Sequence, residues 1–476
     1  MSNNVATTPA GRRISALLDE KSFVEIGSLV TARSTDFGSG QEKAQGDGVI
    51  CGYGLIDGNP VYVYSQDSTV LGGSLGEMHA KKICSLYDLA VKTGSPIIGL
   101  LDSTGFRLQE STDALEAAGE IYRKMADASG VIPQISVVFG TCGGGMALVP
   151  GLSDFTFMEK EAKLFINCPN TIDGNSAEKC DTASASYQSE KSGIVDGIGT
   201  EEEVLGKVRD LITILPQNNE DSSSYDECED DLNRLIPDAL ALSADAAALL
   251  SAISDNGLLI EKAPDFAKEM VTGLIRLNGV TVGAIANRTE LKNADETEKF
   301  DARLSGKGAM KAASFVSFCD AFEIPVLTVT NLTGYEVCAD TEAYLTGNVA
   351  SLLSKLASAS VPRVSLITKK ALGSAYVVMN SRGIGADLVF AWPDAEIGPM
   401  EADMAAKILC DGADAAAVKE KTAEIKALQN HVSSAAARGY VDTIISPEDT
   451  RKYLVGAFEM LFSKMDDQPY RKHSTK

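Results

Sequence analysis

Three consecutive glycines, Gly143–Gly145, are the residues of this sequence best suited to chemistry. They follow the apolar run ISVVF and precede a helical pattern, in the stretch FGTCGGGMALVP. Glycines leave backbone N–H groups unobstructed, and a helix N-terminus adds roughly half a positive charge. Such a turn can hold an anion or the oxyanion that develops during a reaction. For a single glycine cluster, a tight turn without chemistry is the alternative.

A second glycine turn precedes the first by one strand and one helix. It lies in STGFR, where Gly105 follows the apolar run PIIGLLD. The alternation of strand and helix patterns predicts βαβ units with right-handed crossovers. We expect neighbouring strands to bring both turns to the same edge of the sheet, where open α/β folds bind ligands. A nucleotide-binding loop is excluded, because no Walker or dinucleotide-binding glycine motif is present.

The unit that carries these two turns occurs twice. Four landmarks recur with an offset of 229 residues: Pro96, Gly105, Pro133 and Gly144 correspond to Pro325, Gly334, Pro362 and Gly373. The sequences around these residues are also similar, since SPIIGLLDSTGFR aligns with IPVLTVTNLTGYE. The repeat predicts a duplicated domain with two backbone-lined pockets.

Local patterns predict the elements that must position the turns. Apolar spacing predicts a helix over residues 14–26, and the sequence IDGNPV predicts a hairpin with an Asp-Gly turn. A helix is expected to end at Gly94, which suits the residue that follows a helix. Residues 415–439 read as one continuous helix.

Length and composition favour two domains. A chain of 476 residues is too long for one ordinary core. Residues 216–236 are acidic and rich in serine, with little to bury, and we take them as a linker between domains at 1–215 and 237–476.

Charge and composition also exclude classes of function. A formal net charge of −23 argues against a nucleic-acid partner. The sequence has no apolar run of membrane-spanning length and no secretory signal, so we expect a cytoplasmic protein without membrane insertion. Nine cysteines form no C-x-x-C pair, only three histidines occur, and we expect no metal site.

Longer stretches resemble the carboxyltransferase (beta) subunit of biotin-dependent acyl-CoA carboxylases and the alpha subunit of methylmalonyl-CoA or glutaconyl-CoA decarboxylases. In the first half they are GDGVICGYGLIDGNPVYVYSQD, LGGSLGEMHAKKI, LLDSTGFRLQES, SGVIPQISVVFGTCGGGMALVPGLSDFTFM and KSGIVD. In the second half they are FCDAFEIPVLTV, SVPRVSLITKKALGSAYVVMNSR, GADLVFAWPDAEIGPM and AARGYVDTIISPEDTR. The resemblance covers nearly the whole chain and implies an α/β fold of two tandem crotonase-like domains.

The resemblance implies transfer of a carboxyl group between carboxybiotin and the α-carbon of a short acyl-CoA of the propionyl- or methylmalonyl-CoA type. The direction of transfer stays open. In the first domain, amides of Gly105 or Phe106 and of Gly144 or Gly145 would hold the thioester carbonyl. In the second, amides of Gly334 or Tyr335 and of Gly373 or Ser374 would hold the biotin carbonyl.

Three further residues match family positions near the path of coenzyme A: His79, Lys81 and Arg107. A packing or surface role is the alternative for each. The run Ala309-Met310-Lys311 is similar to the biotinylation motif of carrier domains, but it lies in a helical pattern. We therefore expect biotin to arrive on a separate biotin carboxyl carrier protein.

The resemblance also implies partners. They are a biotin carboxylase subunit or a membrane decarboxylase subunit, and other copies of this chain in a dimer or a hexamer.

The second copy departs from the family pattern. The family usually has P-G-F where this chain has Thr333-Gly334-Tyr335, and a second glycine where it has Ser374. Gln188 and Asp196 stand where the family has histidines. These departures keep two alternatives open: a non-catalytic assembly partner, and a biotin-independent crotonase-type acyl-CoA enzyme.

Overall fold

The computed structural model describes residues 7–33, 44–221, 228, 230–292 and 297–466. Contacts between residues divide the chain into two compact units, Met1–Ser224 and Tyr225–Lys476. Each unit is built on one mixed eight-stranded sheet. The boundary between the units lies within the range that we expect to be the linker.

The first unit has eight described strands and six α-helices. The strands are β1 (Val24–Ile26), β2 (Val49–Ile56), β3 (Asn59–Gln66), β4 (Ile97–Ser103), β5 (Gln134–Gly143), β6 (Phe155–Glu159), β7 (Lys163–Phe165) and β8 (Gly197–Gly199). The helices are α1 (Pro9–Leu17), α2 (Glu77–Thr93), α3 (Thr112–Ala128), α4 (Leu148–Leu152), α5 (Ala185–Tyr187) and α6 (Glu201–Ile214). The strand order is β1-β2-β3-β4-β5-β6-β8, with β7 paired to β5. The first three strands are antiparallel and the others parallel.

The second unit continues the numbering. Its strands are β9 (Leu259–Glu261), β10 (Met270–Leu277), β11 (Val280–Asn287), β12 (Glu290–Lys292), β13 (Thr297–Lys299), β14 (Arg303–Leu304), β15 (Val326–Leu332), β16 (Gly334–Tyr335), β17 (Arg363–Leu372), β18 (Leu388–Ala391), β19 (Glu396–Gly398) and β20 (Thr443–Ile444). Its helices are α7 (Ala239–Leu242), α8 (Ala246–Ile253), α9 (Gly306–Ala321), α10 (Ala339–Ser358), α11 (Gly373–Val378), α12 (Ala402–Leu409), α13 (Ala415–Ile425), α14 (Val432–Ala437) and α15 (Thr450–Leu461). The main sheet has the order β20-β18-β17-β15-β11-β10-β9, with β19 paired to β17, and two small sheets pair β12 with β13 and β14 with β16.

The two sheets repeat each other down to the hydrogen-bond register. Ile97 pairs with Gln134 in the first unit, and the residues 229 positions later, Val326 and Arg363, pair in the second. The register of both strand pairs shifts near their ends, at corresponding places. The repeat found in the sequence is therefore a duplication of the whole sheet.

Several local expectations are confirmed. Helix α2 ends at Gly94, which adopts the left-handed conformation. Asp57 and Gly58 form the hairpin turn with φ of 47° and 81°, the positive values of a type I′ turn. Strands β4 and β15 are buried along almost their whole length, as expected for parallel strands covered on both faces.

Two local predictions are wrong. The helix expected over residues 14–26 ends at Leu17, and Val24–Ile26 pairs with β2 as an edge strand. Sheet pairing outweighs the helical spacing there. The helix expected over 415–439 breaks after a π-helical turn, because His431 is extended and bridges to Glu396.

Among the described residues, no helix is both long enough and apolar enough to cross a membrane.

Candidate functional site

The two glycine turns of the first unit lie side by side. Strands β4 and β5 are parallel neighbours and still pair at Ser103 and Cys142, just before their turns. A Cβ built on Gly105 would lie 3.6 Å from the carbonyl oxygen of Gly143. The structure therefore brings together the two segments that the sequence assigns to one pocket.

Gly144 is open toward solvent space, and its conformation requires glycine. Its φ is +63°, and no atom lies within 4 Å of the place where a Cβ would be. Together with Gly145, Met146 and Ala147 it forms a 3₁₀ turn that leads into α4. A ligand can approach this backbone closely, because no side chain covers it.

Gly145, in contrast, has no room for a side chain. A Cβ there would lie 2.7 Å from Cε2 of Phe106 and 2.9 Å from the hydroxyl of Tyr122. The Tyr122 hydroxyl also donates a hydrogen bond of 2.7 Å to the Gly145 carbonyl oxygen. The ring of Phe106 and the hydroxyl of Tyr122 thus hold the second turn against the first.

The first turn is fixed by Leu75. The amide of Leu75 donates to the Gly105 carbonyl at 2.9 Å, and the amide of Arg107 donates to the Leu75 carbonyl at 2.8 Å. Because N–H groups alternate in direction along an extended segment, the Phe106 amide points away from Leu75. The Gly105 amide already donates to the Ser103 hydroxyl at 3.2 Å.

Arg107 lies in a buried ion network beneath the first turn. It is 5% exposed, and its Nη1 donates to Asp47 at 2.6 Å and to Glu110 at 2.8 Å. Its Nη2 donates to the Ser74 carbonyl at 2.7 Å. Burial raises the pKa of Asp47, while the charge of Arg107 opposes that shift.

His79 is fully buried and joins the same network. Its Nδ1 donates to the Asp47 carbonyl at 2.9 Å, and its Nε2 accepts from the Gln66 side chain at 3.2 Å, which assigns a neutral ring. Burial lowers the pKa of His79 to about 3. The Gln66 oxygen accepts from the amide of Asp102, so His79 connects to the strand that ends in the first turn.

Lys81 faces solvent instead. Its ammonium forms an ion pair of 2.6 Å with Glu77, one helical turn earlier on α2. The structure therefore groups His79 and Arg107 around Asp47 but does not bring Lys81 to them. Contact of these three residues with coenzyme A stays a prediction, and the burial of His79 and Arg107 favours a supporting role.

The second pair of turns lines one cavity of about 330 Å³. All four residues expected there take part: Gly334, Tyr335, Gly373 and Ser374. Gly373, with φ of +67°, repeats the left-handed conformation of Gly144, whereas φ is +155° at Gly334 and +105° at its counterpart Gly105. A Cβ on Gly334 would meet no atom within 4 Å, so this backbone too is open to a ligand.

The two copies differ at one pair of contacts. Position 145 corresponds to Ser374, and the ring of Phe106 corresponds to that of Tyr335, again with an offset of 229 residues. The Phe106 ring packs where a Cβ of residue 145 would be, whereas Ser374 has a Cβ at the equivalent place. The ring of Tyr335 therefore cannot pack against residue 374 as Phe106 packs against Gly145, and a cavity lies there instead.

The sequence reasoning missed several residues of this cavity. They are Arg303, Pro399, Met400, Glu401 and Met404. Arg303 donates to the Tyr335 carbonyl at 3.1 Å, and Glu401 forms an ion pair of 2.7 Å with Lys370. Aligning the two copies at the offset of 229 would have singled out Arg303, because β14 is the counterpart of the segment at Leu75.

Three other residues weighed in the sequence have local structural partners. Gln188 donates to the Thr182 carbonyl at 2.7 Å, and Asp196 accepts from the amide of Thr156 at 2.8 Å. Lys311 lies in α9 as predicted, is 7% exposed and donates to two backbone carbonyls. Lys311 is therefore unsuited to carry a biotinyl group.

Comparison with known proteins gives consistent results. The family model for the carboxyl transferase domain matches residues 7–475. The propionyl-CoA carboxylase beta chain of Roseobacter denitrificans is 39% identical, and the methylmalonyl-CoA decarboxylase subunit alpha of Propionigenium modestum is 38% identical; each alignment covers 98% of this chain and 92% of the relative.

A solved structure also matches over the whole chain. It is the crystal structure of transcarboxylase 12S, described as a hexamer assembly with hydrolysed methylmalonyl-coenzyme A bound. The TM-score is 0.91 at 33% identity, covering 98% of this chain and 92% of the other. The fold is therefore the tandem crotonase-like fold expected from the sequence.

Proposed function

Because the chain belongs to the carboxyl transferase family and is a carboxyltransferase component of an acyl-CoA carboxylase or decarboxylase, we propose that its two pairs of glycine turns are two unequal oxyanion pockets. One would hold the thioester carbonyl of an acyl-CoA, and the other the ureido carbonyl of biotin. The observation that carries this proposal is the cavity of about 330 Å³, which all four expected residues of the second pair line.

The first pocket would use two backbone amides. The Phe106 amide is the better candidate from the first turn, because the Gly105 amide is already bonded to Ser103. From the second turn, Gly144 or Gly145 supplies the amide, at the start of a 3₁₀ turn and beside an open backbone. Each preorganised donor to a developing oxyanion contributes about 3–4 kcal/mol to lowering the barrier.

The second pocket has the size of a small ring. Ligand cavities range from roughly 300 to 1,000 Å³, so a cavity of about 330 Å³ suits a bicyclic head group better than a whole coenzyme A ester. The open backbone at Gly334 and the hydroxyls of Tyr335 and Ser374 fit a ureido carbonyl. Bound biotin would supply the carboxyl group or accept it.

The substrate is proposed from the relatives. One relative is a propionyl-CoA carboxylase beta chain and another a methylmalonyl-CoA decarboxylase subunit, and hydrolysed methylmalonyl-coenzyme A is bound in the transcarboxylase structure. We therefore propose a short acyl-CoA of that type. In this proposal, the partner subunits determine the direction of carboxyl transfer.

The partners are proposed in the same way. We propose a separate biotin carboxyl carrier protein, because Lys311 is buried, together with a biotin carboxylase subunit or a membrane decarboxylase subunit. Transcarboxylase 12S assembles as a hexamer, and we propose that this chain forms a dimer or a hexamer. A cytoplasmic location is proposed, where both acyl-CoA esters and carrier proteins are available.

One assay tests the function. Purified protein is mixed with methylmalonyl-CoA and free biotin, and loss of the thioester carboxyl group is followed. Turnover that saturates with biotin is expected. Binding of the CoA ester without turnover would favour a non-catalytic assembly partner, for which the altered second pocket is the argument. Turnover that does not depend on biotin would show a different crotonase-type reaction.

A further inference from the structure

Each copy of the site has an arginine, but the two arginines, Arg107 and Arg303, lie on opposite members of the paired segments. In the first unit, Leu75 bridges to Phe106, and in the second, Leu304 pairs with Tyr335, each residue 229 positions later. Arg107, which follows Phe106, reaches back to Ser74. In the second unit the residue at the place of Ser74 is Arg303, and it reaches across to the Tyr335 carbonyl.

The two cations differ in what neutralises them. Arg107 is buried and bonded to Asp47 and Glu110, so its positive charge is neutralised by carboxylates of the protein. Arg303 is exposed and lines the cavity. Its one hydrogen bond, to Tyr335, is made by Nη1, and within the described ranges it has no carboxylate partner.

The other charged residue that lines the cavity is already paired. Glu401 forms an ion pair of 2.7 Å with Lys370, which neutralises the negative charge of its carboxylate. The cavity therefore presents one uncompensated positive charge, that of Arg303. Such a charge beside a carbonyl-sized pocket suits a ligand with a carboxylate next to a polar ring.

We propose that Arg303 binds the carboxylate of the carboxylated ureido ring in the second pocket and so distinguishes the loaded carrier from the unloaded one. This inference rests on the proposed assignment of that pocket to biotin. The guanidinium keeps Nε and Nη2 for the ligand while Nη1 holds the Tyr335 carbonyl. A planar fork of donors matches a carboxylate better than a lysine ammonium does.

Two small probes test the inference by binding alone. They are 2-imidazolidinone, which is neutral, and its N-carboxymethyl derivative, which carries a carboxylate one methylene group away from a ureido nitrogen. Titration of the full-length wild-type protein is expected to give tighter binding of the derivative, by roughly tenfold, the strength of a charge-assisted hydrogen bond. In Arg303→Met that preference should disappear, so that the affinities for the two probes become equal. Arg303→Lys should restore only part of it.

A matched control separates a local effect from the general charge. Lys307→Met removes an exposed positive charge four residues away, on α9, and does not line the cavity. It should keep the full preference. Equal binding of both probes to the wild type, or a preference that survives in Arg303→Met, overturns the role of Arg303. Failure of both probes to bind the wild type would instead overturn the assignment of the pocket to biotin.

Discussion

The ring of Phe106 lies where the side chain of residue 145 would be, so Gly145 is the residue that lets the two turns of the first unit touch. Its counterpart in the second unit is a serine, and a cavity lies beside it. One substitution between copies thus accounts for a closed contact in one pocket and an open one in the other. The pockets share their backbone but not their shape, which suits two different carbonyl substrates.

Replacing Gly145 with alanine should disable the first pocket. The new methyl group must displace the Phe106 ring or the turn, so the amides lose their alignment. Loss of one oxyanion donor costs about 10²- to 10³-fold in kcat, and we expect a fall of at least tenfold. Steady-state kinetics with methylmalonyl-CoA and biotin measure it. Gly151→Ala on α4 is the control, because nothing lies within 4 Å of its Cβ position; equal rates for both variants would contradict the contact.

Tyr122→Phe should slow the reaction without loosening the fold. The substitution removes only the hydroxyl that donates to the Gly145 carbonyl. A hydrogen bond of this kind contributes about 1 kcal/mol, so kcat should fall roughly fivefold while the KM for the acyl-CoA stays the same. Tyr53→Phe, at an exposed tyrosine, is the matched control. A change confined to thermal stability would assign Tyr122 a purely structural role.

Arg107 and Lys81 should differ sharply in their effect on stability. Arg107→Met leaves Asp47 and Glu110 buried without their partner, which should lower the free energy of unfolding by about 3–5 kcal/mol. Lys81→Met breaks an exposed pair and should cost less than about 1 kcal/mol. Denaturant unfolding compares the two. If Lys81→Met instead raises the KM for the acyl-CoA, the predicted contact with coenzyme A is supported.

Acidification should destabilise the first unit through His79. Its folded pKa of about 3 lies below the ordinary value of 6.5, so the unfolded chain binds a proton first as the pH falls. The stability is complete above pH 6.5 and declines below it, by up to about 1.4 kcal/mol per pH unit.

His79→Asn is the variant that isolates this effect, because an asparagine amide can still donate to the Asp47 carbonyl. The raised pKa of Asp47 acts in the opposite direction, but it is present in both proteins. Unfolding free energies measured at several pH values between 5 and 7 should show a shallower slope for the variant. Identical slopes would mean that the pKa of His79 is the same in the folded and the unfolded protein.

The architecture was predictable because proline and glycine residues at a constant spacing reveal the duplication. An offset of 229 residues located all four turns, and the same offset holds in the strand register. The strand Val24–Ile26 was not predictable from its own residues, since its pairing with β2 is a long-range interaction that overrides helical spacing.

The supporting contacts of the site were less accessible to sequence reasoning. Arg107 pairs with Asp47 across 60 residues, and no local pattern connects the two. The contact of Gly145 with Phe106 depends on how two loops pack, which spacing alone does not encode. Arg303 carried a usable signal only when the two copies are compared position by position.

The central claim, that the second pocket receives biotin and the first the acyl-CoA, is tested most directly by Ser374→Phe. The phenyl ring would project into the cavity of about 330 Å³ and obstruct it, but leave every backbone amide in place. Val377→Phe, at an exposed position of the same short helix, is the control. Rates of decarboxylation at varied biotin and varied methylmalonyl-CoA should show a large loss of kcat/KM for biotin and an unchanged KM for the CoA ester. A raised KM for the CoA ester with biotin dependence intact would contradict the assignment.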